Sequence, residues 1–178
     1  MRTTAVAPTG VERLLGADEL IVSKTDPKGI ITYANNVFLR ISGYDEPDVI
    51  GRPHNLIRHP DMPRSVFKLL WDTIAGGEEI FAYVVNLAAD GAHYWVFAHV
   101  TPTFGPGRTI SGYHSNRRAP HRTAVDQVSG LYRQLRETEQ QFADSREGLA
   151  ASSQQLKDML AQRGQTYDEL IWALTPGQ

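Results

Sequence analysis

The chain contains no cysteine. That absence removes disulfide frameworks, thiolate metal sites and thiol nucleophiles, along with any photochemistry that adds a cysteine sulfur to a flavin. An excess of charge is missing as well, since 18 basic residues stand against 20 acidic ones for a net charge of -2. No bulk electrostatic attraction to nucleic acid or to an anionic membrane follows from that balance. Long apolar runs are also lacking. No window approaches the ~20 apolar residues needed to span a bilayer. Met1 to Gly16 has no apolar core of secretory-leader length, so the expected location is the cytoplasm. What is present is enough apolar material for a core, 41% of the residues, on a chain of 178 that suits one domain and an appendage.

The polar chemistry is concentrated in one place. Gly51 to Arg64 holds two histidines, three arginines, an aspartate and three prolines. Each proline removes a backbone donor and restricts the residue before it, so no continuous helix can run through the segment. It must be an irregular loop, the kind of element on which binding residues tend to sit.

Around this loop the pattern alternates between strands and short helices. Residues 1–17 read as a loose leader, with a short helical turn possible over Val11 to Leu15. Leu20 to Thr25 and Ile30 to Tyr33 read as strands joined through Asp26-Pro27-Lys28-Gly29, where proline and glycine suit a turn. Asn36 is placed to cap a short helix through Arg40, and Asp45 to Ile50 allows one further turn. Ser65 to Ile74 reads as a helix with Val66, Leu69, Leu70 and Thr73 or Ile74 on one face, ended by Gly76-Gly77. Ile80 to Leu87 and His93 to Val100 flank Asp90-Gly91, a strong hairpin signal, and Thr109 to His114 supplies a last strand. This order predicts an α+β fold: a five-stranded antiparallel sheet with helices on one face.

From residue 119 onward the pattern becomes helical. Val128, Leu135, Phe142, Leu149, Leu156 and Leu170 fall on a seven-residue repeat that Arg163 interrupts. The companion positions are mostly small or polar. This predicts a long amphipathic helix of coiled-coil periodicity, with Gly148 as a weak point. It requires either a second copy of the chain or its own domain to pack on, and a homodimer is the favoured expectation. The resulting division is a leader (1–17), a sensor-sized domain (18–118) and a helical tail (119–178).

The element order, together with Asp26-Pro-Lys-Gly-Ile-Ile-Thr-Tyr-Ala-Asn-Asn36, Ile41-Ser-Gly-Tyr44, the His59-Pro-Asp-Met-Pro63 block and Asp90-Gly-Ala-His-Tyr-Trp95, resembles a PAS sensory domain. More narrowly, these motifs are similar to the PAS domain of bacterial aerotaxis receptors. The similarity covers roughly Leu20 to Arg117. It implies a sheet and a helical flap enclosing a pocket that, in that family, holds FAD. Carried onto this chain, the resemblance points to Arg58, His59 and Asp61 as residues that support flavin binding, with Asn35, Trp71 and Asn86 at matching positions. One departure stands out: similar receptors often carry tryptophan where this chain has Ile80-Phe81, leaving Phe81 or Tyr83 as aromatic substitutes.

The chemistry of these side chains suits the role. Arg58 offers a forked donor to phosphate or to a flavin carbonyl, His59 a ring that donates or accepts, Asn35 and Asn86 paired donors and acceptors, and Trp71 and Phe67 an aromatic wall. The plainer reading is that Arg58 and Asp61 form an internal ion pair, with His59 capping a helix end. His54 and His59 also leave open a haem-binding gas sensor, through one axial imidazole. His93 and His99 share a face of one strand but have no third ligand nearby, so no metal site is expected. No nucleophile motif or glycine-rich phosphate loop is present, and no enzymatic activity is expected. The implied function is a cytoplasmic redox or oxygen sensor that binds FAD and relays flavin state through its tail to a downstream signalling partner. A cofactor-free PAS module for dimerisation or partner binding is the third alternative.

Overall fold

The computed structural model describes residues 6–175. Its five strands are β1 (Ile21–Thr25), β2 (Ile31–Ala34), β3 (Ile80–Leu87), β4 (His93–Phe104) and β5 (Ile110–Arg118). They form one sheet in the order β2-β1-β5-β4-β3, with every neighbouring pair antiparallel. Four short helical elements lie between β2 and β3: α1 (Asn36–Ser42), α2 (Glu46–Val49), a single 3-10 turn at His54–Ile57, and α3 (Arg64–Ala75). The prolines act as expected. Pro53 and Pro63 stand immediately before the 3-10 turn and α3, each in extended backbone, so the loop between them cannot join the two into one helix.

Two apolar clusters sit on opposite faces of the sheet. Alternate residues of a strand point to opposite sides, so β3 and β4 can feed both. On the first face Ile21, Ile31, Phe38, Ile57, Ile74 and Val96 pack beneath the short helices. On the second, Tyr83, Val85 and Phe97 pack against the helices that follow β5.

The tail departs from the sequence expectation. It is not one long helix but three: α4 (Arg122–Gln140), α5 (Ser145–Arg163) and α6 (Tyr167–Leu174). Local signals cause the two breaks. Asp144 caps α5, its carboxylate accepting from Arg146 N at 2.6 Å. Gly164 closes α5 in the left-handed conformation at φ 61, where glycine carries no Cβ penalty. Thr166 and Glu169 then form a capping box for α6. The three helices fold back on their own domain. Val128, Leu135, Leu156 and Leu170 of the heptad seam are buried within the chain, while Phe142 lies exposed in the α4–α5 connection. Tyr132 in α4 donates to the Tyr83 carbonyl at 2.5 Å, and the Tyr83 hydroxyl meets Thr175 beyond α6 at 2.7 Å.

The described part of the leader is not helical either. Thr9 and Arg13 donate from their backbone to Gly91 O and His93 O, each at 2.8 Å, and His93 N donates to Val11 O. The described part of the leader therefore runs extended beside β4; residues 1–5 lie outside the described range. Among the described residues, no helix is long and apolar enough to cross a membrane.

Candidate functional site

Between the first sheet face and the short helices lies a cleft. Its floor comes from alternate strand positions: Ser23 and Thr25, Val84 and Asn86, Ala98 and Val100, and Tyr113, Ser115 and Arg117. Its roof comes from the proline-rich loop and α3, through His54, Ile57, Arg58, Met62, Phe67, Leu70, Trp71 and Ile74. The loop is tied down over the sheet by a bridge between Arg58 and Asn86. The turn after β1 comes close to Trp71 because residue 29 is glycine; a Cβ there would stand 2.7 Å from the outer edge of the indole.

Of the eight residues expected at the site, five line the cleft: His54, Arg58, Phe67, Trp71 and Asn86. The structure places the other three elsewhere. Asn35 is the N-cap of α1, a position expected for Asn36; its Oδ1 accepts from Val22 N and Phe38 N, each at 3.0 Å, and its Nδ2 donates to Leu20 O. Its hydrogen-bonding groups are therefore engaged by the backbone. His59 is buried but turned away from the cleft, and its Nδ1 accepts from Asp61 N at 3.0 Å. Asp61 pairs with Arg136 of α4 at 2.6 Å rather than with Arg58, so the simple Arg58–Asp61 ion pair does not form. The Arg58 guanidinium instead lies over Phe67 at 4.8 Å and donates to Met62 O. Neither proposed aromatic substitute reaches the cleft. Phe81 stacks on His99 at 4.1 Å, and Tyr83 faces the tail.

The deciding residue was missed in the sequence. Arg117 is 5% exposed, lines the cleft, and has no carboxylate partner among the described residues. Its Nη2 meets His54 Nε2 at 2.6 Å, while its Nη1 has no protein partner. Burial pulls its pKa down to about 10, so it stays charged at neutral pH. Nothing in the tripeptide Asn116-Arg117-Arg118 distinguishes the inward arginine from its neighbour. Strand register alone could have done so, through the alternation that puts Tyr113, Ser115 and Arg117 on one face.

His54, by contrast, is held neutral. Burial, and then the Arg117 guanidinium, hold its pKa well below the usual imidazole value. The unfolded chain would take up a proton there near pH 6.5 while the folded chain would not. Stability should therefore fall as pH drops below 6.5, by up to about 1.4 kcal/mol per pH unit from this residue. His54→Gln should make the slope between pH 6.5 and 5 shallower by about one proton in urea titrations, leaving the smaller contributions of His59 and His114, whose pKa values are also lowered.

Five buried polar atoms in the cleft lack a protein partner: Thr25 Oγ1, Arg58 Nε, Asn86 Nδ2, Ser115 Oγ and Arg117 Nη1. Only nine such atoms occur among all the described residues, and leaving one unmade costs about 1–3 kcal/mol. Their convergence in one apolar cleft makes it the candidate binding site.

The comparisons with known proteins agree with this architecture. Residues 31–115 match the family described as PAS fold. The chain carries a PAS domain. That domain and its flanks are 40% identical over 121 residues to the aerotaxis receptor of Escherichia coli (strain K12), covering 68% of this chain and 24% of the receptor. The nitrogen fixation regulatory protein of Klebsiella pneumoniae is 29% identical over 97 residues, or 54% of this chain and 20% of that protein. The chain thus spans about a quarter or less of these two relatives. The dark structure of the blue-light photoreceptor Aureochrome1 LOV superposes with a TM-score of 0.53 at 23% identity, over 67% of this chain and 86% of that one, a likeness in fold. By name these two relatives are a receptor and a regulatory protein.

Proposed function

We propose that this PAS domain binds FAD in the cleft, in the cytoplasm, and that the chain acts as a redox or oxygen sensor whose helical tail relays the cofactor's state to a signalling partner in aerotaxis or a related response. The observation that carries the proposal is the set of five unpartnered polar atoms in the cleft. An isoalloxazine has one apolar ring system and one edge rich in carbonyl and nitrogen acceptors. The cleft offers matching parts: amide and guanidinium donors from Asn86, Arg58 and Arg117, hydroxyls from Thr25 and Ser115, and walls from Trp71, Leu70 and Ile74. When bound, the flavin would supply a group whose charge and hydrogen bonding change with its electron count.

The residues of the chain do the rest. Arg117 supplies a fixed positive charge in a buried setting, where it weighs more heavily than in water. His54 holds that guanidinium from one side. A dinucleotide is favoured over a mononucleotide by the adjoining groove of about 370 Å³, where Arg58, Arg64 and Arg136 outnumber the one carboxylate, Glu139, and give a pyrophosphate a net positive lining. Arg58 lines both spaces. The haem alternative gains no such support, because His54 Nε2 already faces Arg117 and Ser23. A downstream protein and a second copy of the chain are the proposed partners of the tail and of the PAS surface.

The test is the spectrum of freshly purified protein. Flavin bands, with FAD released on heating, are expected, and Arg58→Ala should lower FAD retention about tenfold or more. A colourless protein that takes up no FAD would overturn the reading.

A further inference from the structure

The roof of the cleft is held from outside the PAS domain. Helix α3 has no side-chain cap of its own; Pro63 precedes it and offers no side-chain hydrogen bond. The first amides of a helix need an acceptor, and here it comes from the tail. Glu139, in the last turn of α4, accepts from Arg64 N at 3.2 Å and from Ser65 N at 3.0 Å. Ser152 of α5 donates to the same carboxylate at 2.8 Å, and Arg64 reaches back to Ser145 O at 2.6 Å. One turn earlier, Arg136 holds Asp61 of the proline-rich loop. Both roof elements are thus fastened to the same end of α4.

The cleft is also tight. It measures about 60 Å³, room for a few waters but less than a three-ring system requires. Its floor is a hydrogen-bonded sheet, so its roof must yield. That roof is α3 and the loop, the two elements that Glu139 and Arg136 fasten.

We propose that the last turn of α4 is a latch on the roof of the cleft, with Glu139 and Arg136 as its positioning residues, and that filling the cleft displaces α3 and loosens the α4–α5 hairpin. The inference rests on the flavin reading only for the identity of the occupant. Because coupling between binding and docking is reciprocal, releasing the latch must alter ligand affinity by the same factor by which the ligand alters docking.

The experiment uses the full chain and two ways of filling the cleft. One is FAD. The other is Ala98→Leu, which adds bulk to the floor at a residue that is 1% exposed and lines the cleft. Hydrogen exchange of the last turn of α4 and of α5 should accelerate about tenfold in both cases. In Glu139→Ala those amides should exchange fast whether or not the cleft is filled, and FAD should bind about tenfold more tightly, while Glu139→Gln, which keeps an acceptor, should retain part of the response. If FAD binds but leaves tail exchange unchanged, and Glu139→Ala leaves FAD affinity unchanged, the latch is wrong and the flavin reading stands. If FAD fails to bind, Ala98→Leu decides the matter alone: unchanged tail exchange sinks the latch, and accelerated exchange supports it with some other occupant.

Discussion

Arg117→Met is expected to give a protein that is harder to unfold when stripped of ligand, yet holds FAD far more weakly. The two effects have opposite signs because one residue is poorly served in the first state and needed in the second. In the protein alone, the guanidinium is taken out of water, lacks a carboxylate among the described residues, and has an unpartnered Nη1. Replacing a buried ion pair with well-packed apolar residues is often neutral or stabilising by about 1–4 kcal/mol, and a buried cation with no carboxylate beside it has less attraction to lose. Methionine suits the exchange, being unbranched, similar in length and adaptable in packing. His54 would not be stranded, since Ser23 Oγ remains 3.2 Å from its Nε2. With ligand bound, deleting a charge that faces an electron-rich ring edge should cost about 2–5 kcal/mol, or roughly 30-fold to a few thousandfold in Kd. Urea denaturation of stripped and FAD-saturated protein, wild type and variant, measures both. A lowered midpoint in the stripped variant would make Arg117 a structural residue. An FAD affinity within about threefold of wild type would turn it away from the ligand.

Arg58 is legible in the sequence and Arg117 is not, for a physical reason. Arg58 sits in a dense proline-bounded motif that announces a loop, and the family resemblance adds weight to it. Arg117 sits in a polar run at the end of a strand, and only register decides that it faces inward. The strands themselves were legible, because each is an apolar run bounded by turn residues: Asp26-Pro-Lys-Gly29 and Asp90-Gly91 both lie where β1–β2 and β3–β4 turn. Asn35 and Asp61 show the opposite difficulty. Both are short polar side chains whose chemistry serves a cap or an ion pair as well as a ligand, and the atoms that take them up, Phe38 N and the Arg136 guanidinium, come from local geometry and from the tail. The tail's heptad repeat predicts one helix because it records which residues seek burial and not what buries them. Gly164 and the Thr166–Glu169 capping box do carry break signals, but the seam runs across them.

The same seam makes the final prediction, a substitution that helix propensity would get wrong. Gly148→Ala in α5 exchanges a poor helix former for the best one, a change that by itself should stabilise by about 1 kcal/mol. Here it should destabilise. A Cβ at Gly148 would stand 2.5 Å from Glu139 O and 3.3 Å from Glu139 Cα, and backbone atoms cannot swing aside as a side chain can. Forcing extra bulk into such a contact costs about 1–3 kcal/mol, so sterics outweigh propensity. The control lies in the same hairpin. Gly130, inside α4, has nothing within 4 Å of its would-be Cβ, and Gly130→Ala should raise stability by about 1 kcal/mol. One substitution at two helical glycines should therefore move the urea midpoint in opposite directions. Gly148→Ala should also free the seam. Val128, Leu135 and Leu156, buried against their own chain, would be offered to solvent and to a second copy in the seven-residue spacing that two helices can share. Sedimentation of Gly148→Ala should then show association that grows with concentration, and Gly130→Ala should show no more than wild type. If both variants shift stability the same way, the close approach of α4 and α5 is not what glycine provides at 148.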